Sequence, residues 1–216
     1  KLTSANQLRG VDYTKVFGSY MLVKANDKLH LFSLGDNTLT YLDTAASGVN
    51  DFSTLPDLTS STEMNGNLLV QNRYTGTMQE LSVVNNKLKQ RDLFNSPQPD
   101  YNLTQLKFVA GQLHLHINST VYVYKEIDGQ FKLLSLNNLP NQTIYYLDDR
   151  TVLIPENWYR VTIGKLDLES GIIVEQQTMD LDDYQNLRFA FMLGQHLYLE
   201  DYNTPFTLKR YLVNRA

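Results

Sequence analysis

Two histidines separated by a single residue, His114 and His116, form the most metal-like pattern in this sequence. Alternate side chains of a β-strand face the same way, so both imidazoles would lie on one face. The remaining histidines, His30 and His196, are distant along the chain, and no third ligand is evident. The equivalent positions of an internal repeat are mostly apolar. We therefore expect this pair to lie in a packed layer with hydrogen-bonded ring nitrogens, and we predict no metal and no cofactor.

Three acidic residues, Asp12, Glu63 and Asp148, are the candidates for carboxylate chemistry. Glycoside hydrolysis needs two carboxyl groups about 5–9 Å apart. These three lie six, three and one residues before the turn positions of the repeat, so strand alternation sends them to different faces and depths. The sequence also lacks a G-x-S-x-G elbow, a P-loop and a G-x-G-x-x-G motif. It predicts no catalytic residue, and glycoside hydrolase is only a remote alternative.

Aromatic and apolar side chains supply the candidates for a partner surface. Trp158 is the only tryptophan, and it is followed by Tyr159. If exposed, the two could stack on a sugar ring or anchor a protein; if buried, they would pack within the sheet, which we favour. The connector 46–57 contributes Phe52 and Leu55, which would either contact a partner or fold back onto the scaffold.

A pattern of four short strands recurs along the chain, with a period of about 40–45 residues. The turn between its first and second strands falls at Gly18, Gly66, Gly111, Asp149 and Gly194. The hairpin between its third and fourth strands falls at Asp36–Asn37, Asn85–Asn86, Asp128–Gly129, Ser170–Gly171 and Asn214–Arg215. Asn, Asp and Gly suit tight hairpins because they tolerate a positive φ. No segment has a helical apolar period, so we expect an all-β chain.

This repeat resembles the blades of a five-bladed β-propeller with four-stranded antiparallel blades. The resemblance implies one propeller domain over residues 1–216, with repeats at about 8–45, 58–94, 103–137, 142–179 and 185–216 plus 1–7. Residues 1–7 resemble the fourth strand of the first copy, 39–45, and would complete the last blade. Such closure removes an open sheet edge. A β-sandwich of short strands is the alternative.

Apolar and polar positions of the repeat predict different layers. The positions two before and four after the first turn are apolar or aromatic and should fill the space between blades: Val16, Met64, Val109, Leu147 and Met192, then Leu22, Val70, Leu115, Leu153 and Tyr198. The position six before the turn is polar in every copy: Asp12, Ser60, Gln105, Thr143 and Arg188. We expect this polar ring at a channel mouth, as a candidate site for a small ligand or a metal, where Asp12 and Arg188 could form an ion pair. The alternative, which we favour, is a set of solvated strand ends that hold ordered water.

Composition excludes several classes of protein. The 216 residues carry a formal net charge of −4, which argues against a nucleic-acid partner. No apolar run approaches the roughly 20 residues of a membrane helix, so no membrane insertion of this segment is expected. Cysteine is absent, which excludes disulfides and thiolate chemistry. The chain begins at Lys1 without a methionine, and we expect an extracytoplasmic protein, either periplasmic, surface or secreted.

The repeats agree in their turns and apolar layers, whereas their exposed residues differ. Identical ligand sites in every blade are therefore not expected. The hypothesis at this point is a non-enzymatic protein–protein interaction module, a domain or processed form of a larger exported protein, with a protein partner of unknown identity. The alternative is a carbohydrate-binding, lectin-like propeller with a glycan ligand.

Overall fold

A computed structural model describes residues 10–46, 57–99, 103–140, 143–182 and 186–213. These residues form nineteen β-strands and no helix. The strands make five antiparallel sheets, four with four strands and one with three. This arrangement confirms the all-β prediction and is consistent with a five-bladed propeller. The predicted closing strand, residues 1–7, and the predicted hairpin Asn214–Arg215 lie outside the described residues.

Neighbouring strands in each sheet are consecutive in sequence, as meandering blades require. The first sheet contains β1 (Val11–Phe17), β2 (Tyr20–Ala25), β3 (Lys28–Gly35) and β4 (Thr38–Ala46). The second contains β5 (Asp57–Met64), β6 (Asn67–Gln71), β7 (Thr77–Val84) and β8 (Lys87–Asn95). The third contains β9 (Gln105–Val109), β10 (Gln112–Ile117), β11 (Thr120–Ile127) and β12 (Gln130–Asn138).

The last two sheets follow the same order. The fourth contains β13 (Tyr145–Tyr146), β14 (Thr151–Asn157), β15 (Arg160–Leu166) and β16 (Ile173–Asp180). The fifth contains β17 (Leu187–Leu193), β18 (His196–Asp201) and β19 (Thr204–Leu212). By its internal contacts the chain forms two compact units, unit 1 from Lys1 to Phe108 and unit 2 from Val109 to Ala216. The boundary falls inside β9.

The predicted turns lie between the strands that they were expected to join. The first turn of the first sheet contains Gly18, at a φ of 50°, and that of the third sheet contains Gly111, at 80°. The hairpin between β11 and β12 has Asp128 and Gly129 at φ values of 55° and 76°. Asp and Gly adopt this left-handed conformation more easily than other residues, which is why the turn chemistry located the hairpins correctly.

A β-bulge interrupts the last strand pair of each four-stranded sheet. One residue on the fourth strand has no partner on the third in each case: Leu42, Leu93, Leu134 and Gln176. A bulge bends the outer strand and increases its twist. Its recurrence at one place shows that the four sheets share backbone detail as well as strand count.

The cores consist mainly of the inner strands. All six residues of β10 are buried, whereas the outer β8, β12 and β16 are largely exposed. Four of the five residues predicted four positions after the turn are fully buried, namely Leu22, Val70, Leu115 and Leu153. The prediction is wrong for Val16, which is 58% exposed. Neighbouring positions of β1 from Val11 to Thr14 are exposed as well, so this strand as a whole packs less completely than its equivalents.

Candidate functional site

A cleft of about 550 Å³ lies between the fourth and fifth sheets of the chain, both of which belong to unit 2. The cleft lies at the end where β13 begins and where the hairpins β14–β15 and β18–β19 turn. Its lining combines aromatic, hydroxyl, amide and carboxylate groups: Thr143, Tyr145, Pro155, Glu156, Asn157, Trp158, Asn186, Leu187 and Tyr202. Concave surfaces with a few convergent polar groups are the usual form of small-molecule sites.

Trp158 reaches the cleft from the β14–β15 hairpin. The Asn157 side-chain oxygen accepts a hydrogen bond from the Tyr159 backbone N–H at 2.8 Å, which fixes this tight turn. Trp158 is 51% exposed and Tyr159 is 56% exposed, so the buried arrangement that we favoured for both is wrong. An indole held on a short hairpin at a cleft is well suited to stack on a ligand.

Glu156 is the only ionisable carboxylate among the described residues that line the cleft. The pairing of β14 with β15 shifts register between Pro155 and Asn157, so Glu156 occupies a bulge. The Thr162 hydroxyl donates a hydrogen bond to Glu156 Oε1, and Thr162 Oγ1 also lies 2.9 Å from Thr178 Oγ1. Bulges next to sites commonly re-aim a side chain. Here the bulge and the threonine pair together fix the carboxylate.

Tyr145 links the two walls of the cleft. Its hydroxyl donates a hydrogen bond to the Leu187 carbonyl oxygen at 2.7 Å. Burial raises the pKa of the Tyr145 hydroxyl, and the neighbouring Tyr202 raises it further. Tyr145 therefore stays protonated at neutral pH and acts as a fixed donor.

The fifth sheet supplies the other wall through Asn186 and Tyr202. The Tyr202 backbone N–H donates to the Asn186 carbonyl at 2.9 Å. The buried Asp201 carboxylate accepts from the backbone N–H groups of Asn186 and Asn203, at 3.0 and 2.6 Å. These bonds tie the start of β17 to the β18–β19 hairpin and hold Tyr202 at the cleft.

Two members of the predicted polar ring lie in or beside this cleft. Thr143 is part of the lining. Arg188 follows Leu187 at a register shift in the β17–β18 pair, and its guanidinium carbon lies 6.0 Å from the centre of the Tyr202 ring. Arg188 Nη1 also lies 3.7 Å from Glu200 Oε1. The predicted ring of five residues at a channel mouth stays a prediction.

The other three ring members belong to unit 1. Asp12 is exposed at a register shift in the β1–β2 pair. The Ser60 hydroxyl donates to the Leu103 carbonyl oxygen at 3.0 Å. Gln105 is half-buried, and its Oε1 has no hydrogen-bond partner within the described part of the chain. The predicted Asp12–Arg188 pair stays a prediction. Phe52 and Leu55 lie outside the described residues.

The two histidines of the H-x-H pattern lie in a buried hydrogen-bonded layer, as predicted. Tyr146 Oη lies 2.8 Å from both His114 Nδ1 and His116 Nε2. His114 Nε2 lies 3.1 Å from Gln112 Oε1, and Gln112 Nε2 donates to two backbone carbonyls, those of Asp167 and Leu168. We call these four side chains, Gln112, His114, His116 and Tyr146, the Tyr146 network.

Burial lowers the histidine pKa values of the Tyr146 network. The pKa of His114 falls to about 4, and that of His116 falls to about 3 with a further contribution from His114. Burial also raises the pKa of the Tyr146 hydroxyl well above its usual value. All three groups are therefore neutral at pH 7.

Among the described residues, no three histidine, aspartate or glutamate side chains cluster as metal ligands do. That part of the chain also has no helix long and apolar enough to cross a membrane.

Sequence reasoning missed Glu156, Tyr145, Tyr202 and Asn186. Glu156 and Tyr202 lie at or beside hairpins between second and third strands, whereas we compared first strands. A short sequence pattern could have pointed to them, because Asn157 and Asn203 lie at hairpins next to aromatic residues that are exposed in the structure. Aligning those hairpins across the repeats would have drawn attention to both.

Comparisons with known proteins support the fold. No protein-family model matches the chain, and a search of curated proteins finds no match. A Bacteroides uniformis protein provisionally assigned as a 6-phosphogluconolactonase is similar in structure, with a TM-score of 0.66 and 11% identity, over 94% of this chain and 66% of that one. A Bacteroides fragilis protein with the same provisional assignment has a TM-score of 0.59 and 15% identity, over 94% of this chain and 70% of that one.

A third similar structure is the dihydro-heme d1 dehydrogenase NirN, with a TM-score of 0.60 and 14% identity, over 90% of this chain and 43% of that one. The present chain thus spans about two thirds of the first Bacteroides protein and less than half of NirN. At these identities the likeness establishes the propeller-type fold alone.

The hypothesis of a non-enzymatic interaction module is wrong, because structures that share the fold over nearly the whole chain are named as enzymes. That hypothesis rested on the differences between exposed residues of the repeats. Such differences are equally expected of a propeller with one asymmetric small-molecule cleft. The fold is thus one that includes enzymes.

Proposed function

We propose that this protein is a propeller hydrolase that binds a hydroxylated, sugar-derived lactone in the unit 2 cleft. The observation that carries the proposal is Glu156, a carboxylate fixed at a bulge and facing a cleft that also presents Trp158. The provisional lactonase assignments of two proteins with the same fold support this class of reaction by analogy.

The lining suits a flat, hydroxyl-rich ligand. Trp158 and Tyr202 offer aromatic faces for the apolar side of a sugar-like ring. Thr143, Asn157 and Asn186 offer hydroxyl and amide groups that both donate and accept hydrogen bonds. A ligand with several hydroxyl groups can satisfy these groups together, whereas a purely apolar ligand would leave them unpaired.

Glu156 would act as the general base. Water adds to the lactone carbonyl carbon while its proton passes to the Glu156 carboxylate. The tetrahedral oxyanion then collapses and breaks the ring C–O bond. The proton returns from Glu156 to the departing ring oxygen, so water is consumed and a hydroxy acid is formed. The Thr162 hydroxyl, bonded to Glu156 Oε1, keeps the carboxylate oriented through both transfers.

The test is hydrolysis of a panel of sugar-acid lactones, including glucono-1,5-lactone, followed by acid release after subtraction of spontaneous hydrolysis. We expect Glu156→Gln to lower kcat by roughly 10²- to 10⁴-fold, the usual contribution of a general base. Trp158→Ala should raise KM roughly three- to tenfold through lost stacking.

Glu175→Gln is the matched control, because Glu175 is an exposed carboxylate on β16 outside the cleft lining. It should leave both constants unchanged. Hydrolysis that Glu156→Gln leaves intact would overturn the assignment of the base. Failure to hydrolyse any lactone above the spontaneous rate would overturn the proposed reaction.

A further inference from the structure

We infer that Arg188 forms an oxyanion subsite at the edge of the cleft, so that the ligand carries a carboxylate or phosphate group besides its hydroxyls. This inference rests on the proposed function for the position of the ligand. It adds a charge requirement that the proposed reaction does not need, since a neutral lactone could be hydrolysed by the same groups.

The first observation is that Arg188 has unused hydrogen-bonding capacity. A guanidinium carries five N–H donors. Within the described part of the chain, its polar contact is the 3.7 Å approach to Glu200 Oε1, which is longer than a hydrogen bond. That Glu200 oxygen already accepts the Phe206 backbone N–H at 2.8 Å. Arg188 is 45% exposed, so its donors can be reached by a ligand.

The second observation is that an aromatic ring of the cleft also holds the guanidinium in place, beside its long ion pair with Glu200. Its carbon lies 6.0 Å from the centre of the Tyr202 ring, a distance at which cation–π attraction orients an arginine. Tyr202 itself lines the cleft, and so does Leu187, which precedes Arg188 in the chain. The charged group is therefore placed beside the ligand space by residues of the site itself.

The third observation concerns competition from neighbouring carboxylates. The Asp201 carboxylate accepts two backbone N–H groups, and within the described part of the chain it makes no ion pair with Arg188. Glu200 is the nearby negative charge, and its side chain is only 15% exposed. An incoming carboxylate or phosphate could bind two guanidinium N–H groups side by side, which is the geometry that arginine favours for oxyanions.

The experiment measures binding of three probes to the full chain by isothermal titration and ¹H–¹⁵N NMR: glucose, glucuronate and inorganic phosphate. We expect glucuronate to bind at least tenfold more tightly than glucose, because a charge-assisted hydrogen-bonded pair adds to the same ring contacts. The preference should weaken with added salt. Saturable phosphate binding that displaces glucuronate would identify phosphate as the preferred group; its absence would identify carboxylate.

Three variants make the test specific. Arg188→Gln should remove the preference for the charged probe and leave glucose binding unchanged. Glu200→Gln keeps an acceptor for Phe206 N–H but removes the competing charge, so it should tighten binding of the anions several-fold. Arg210→Gln is the matched control, since Arg210 is an exposed arginine on β19, six residues beyond the start of that strand.

Anion binding that survives Arg188→Gln, or an absence of saturable binding by either anion, would overturn the subsite. These results are distinguishable from a failure of the proposed function. A chain that binds glucuronate through Arg188 but hydrolyses no lactone keeps the subsite and loses the reaction. A chain that hydrolyses neutral lactones, but binds glucuronate and phosphate as tightly after Arg188→Gln as before, keeps the reaction and loses the subsite.

Discussion

At the scale of single residues, hydrogen-bond partners determine where the protons lie in the Tyr146 network. Gln112 Nε2 donates to two carbonyls, so Gln112 Oε1 is the acceptor that faces His114. His114 must therefore carry its proton on Nε2, and its Nδ1 accepts the Tyr146 hydroxyl proton. The Tyr146 oxygen then accepts from His116 Nε2–H. Every proton in this chain of bonds is used once, and both histidines are neutral.

The first prediction follows from that order of protons. Tyr146→Phe deletes the hydroxyl that partners both imidazoles, and should lower the free energy of unfolding by about 1–3 kcal/mol because buried polar groups lose a partner. Urea denaturation at pH 7 measures the loss. Tyr74→Phe is the control, since Tyr74 is 81% exposed, and it should change stability little. Equal stability of the two variants would contradict the network.

At the scale of elements, one buried carboxylate joins the first two sheets of unit 1. Asp43 of β4 is 6% exposed, and it accepts the Leu88 backbone N–H of β8 at 3.0 Å and the Lys87 ammonium at 3.1 Å. Burial alone would raise the pKa of Asp43, but these two donors, a third hydrogen bond from the Thr44 backbone and the charge of Lys87 outweigh it and lower the pKa below its usual value. Asp43 follows the bulge residue Leu42. The bulge that recurs in each four-stranded sheet therefore positions, in the first sheet, the carboxylate that bonds to β8.

The second prediction separates the two bonds that Asp43 makes to β8. Asp43→Ala leaves the Leu88 N–H buried without its partner and should cost about 1–3 kcal/mol of unfolding free energy. Lys87→Met removes only the ion pair, and Lys87 is 61% exposed, so the loss should be about 0–1 kcal/mol. Chemical denaturation of both variants gives the comparison. A larger loss in Lys87→Met would show that the ion pair, and not the backbone bond, holds the sheets.

Elements were also the scale at which the sequence was most informative. Turn residues located the hairpins because a positive φ restricts the amino acid locally, as at Asp128 and Gly129. The bulge at Leu42 could not be predicted, because it depends on how two strands pair and leaves no residue signature. The predicted burial of Val16 was wrong for a similar reason. Its side chain is apolar, but its exposure depends on which neighbours cover β1.

The candidate site was predictable only in part, for reasons that belong to the whole molecule. Thr143 and Trp158 were selected for different roles, the first as part of a polar ring and the second as a partner contact. The fold brings them to one cleft. Glu156 and Tyr202, which line the same cleft, come from different sheets. Their local sequences do not show that the two side chains lie close together. Which side chains meet depends on how the sheets pack against each other. A pattern of positions along the sequence can therefore identify single residues of a site but not the whole set.

The titrating groups predict how the stability of the molecule changes with pH. Folding lowers the pKa of His114 from 6.5 to about 4 and that of His116 from 6.5 to about 3. Between these values the unfolded chain binds more protons, so stability falls as the pH drops below 6.5. The pKa of His30 is also lowered, with burial as the main cause, so it contributes with the same sign. Asp43 affects stability only at lower pH. Because its pKa is lowered by folding, its contribution to the free energy of unfolding is lost as the pH falls below 3.8.

The third prediction concerns unit 2, where the two buried histidines His114 and His116 and the only tryptophan lie. At pH 5 each of these histidines should cost about 2 kcal/mol relative to pH 7, because protons bind the unfolded imidazoles first. Urea denaturation followed by Trp158 fluorescence at pH 7, 6 and 5 measures this slope. In His114→Gln the slope should be about half as steep, whatever that variant's stability at pH 7. A stability independent of pH across this range, or an unchanged slope in His114→Gln, would mean that these imidazoles are not held neutral by burial.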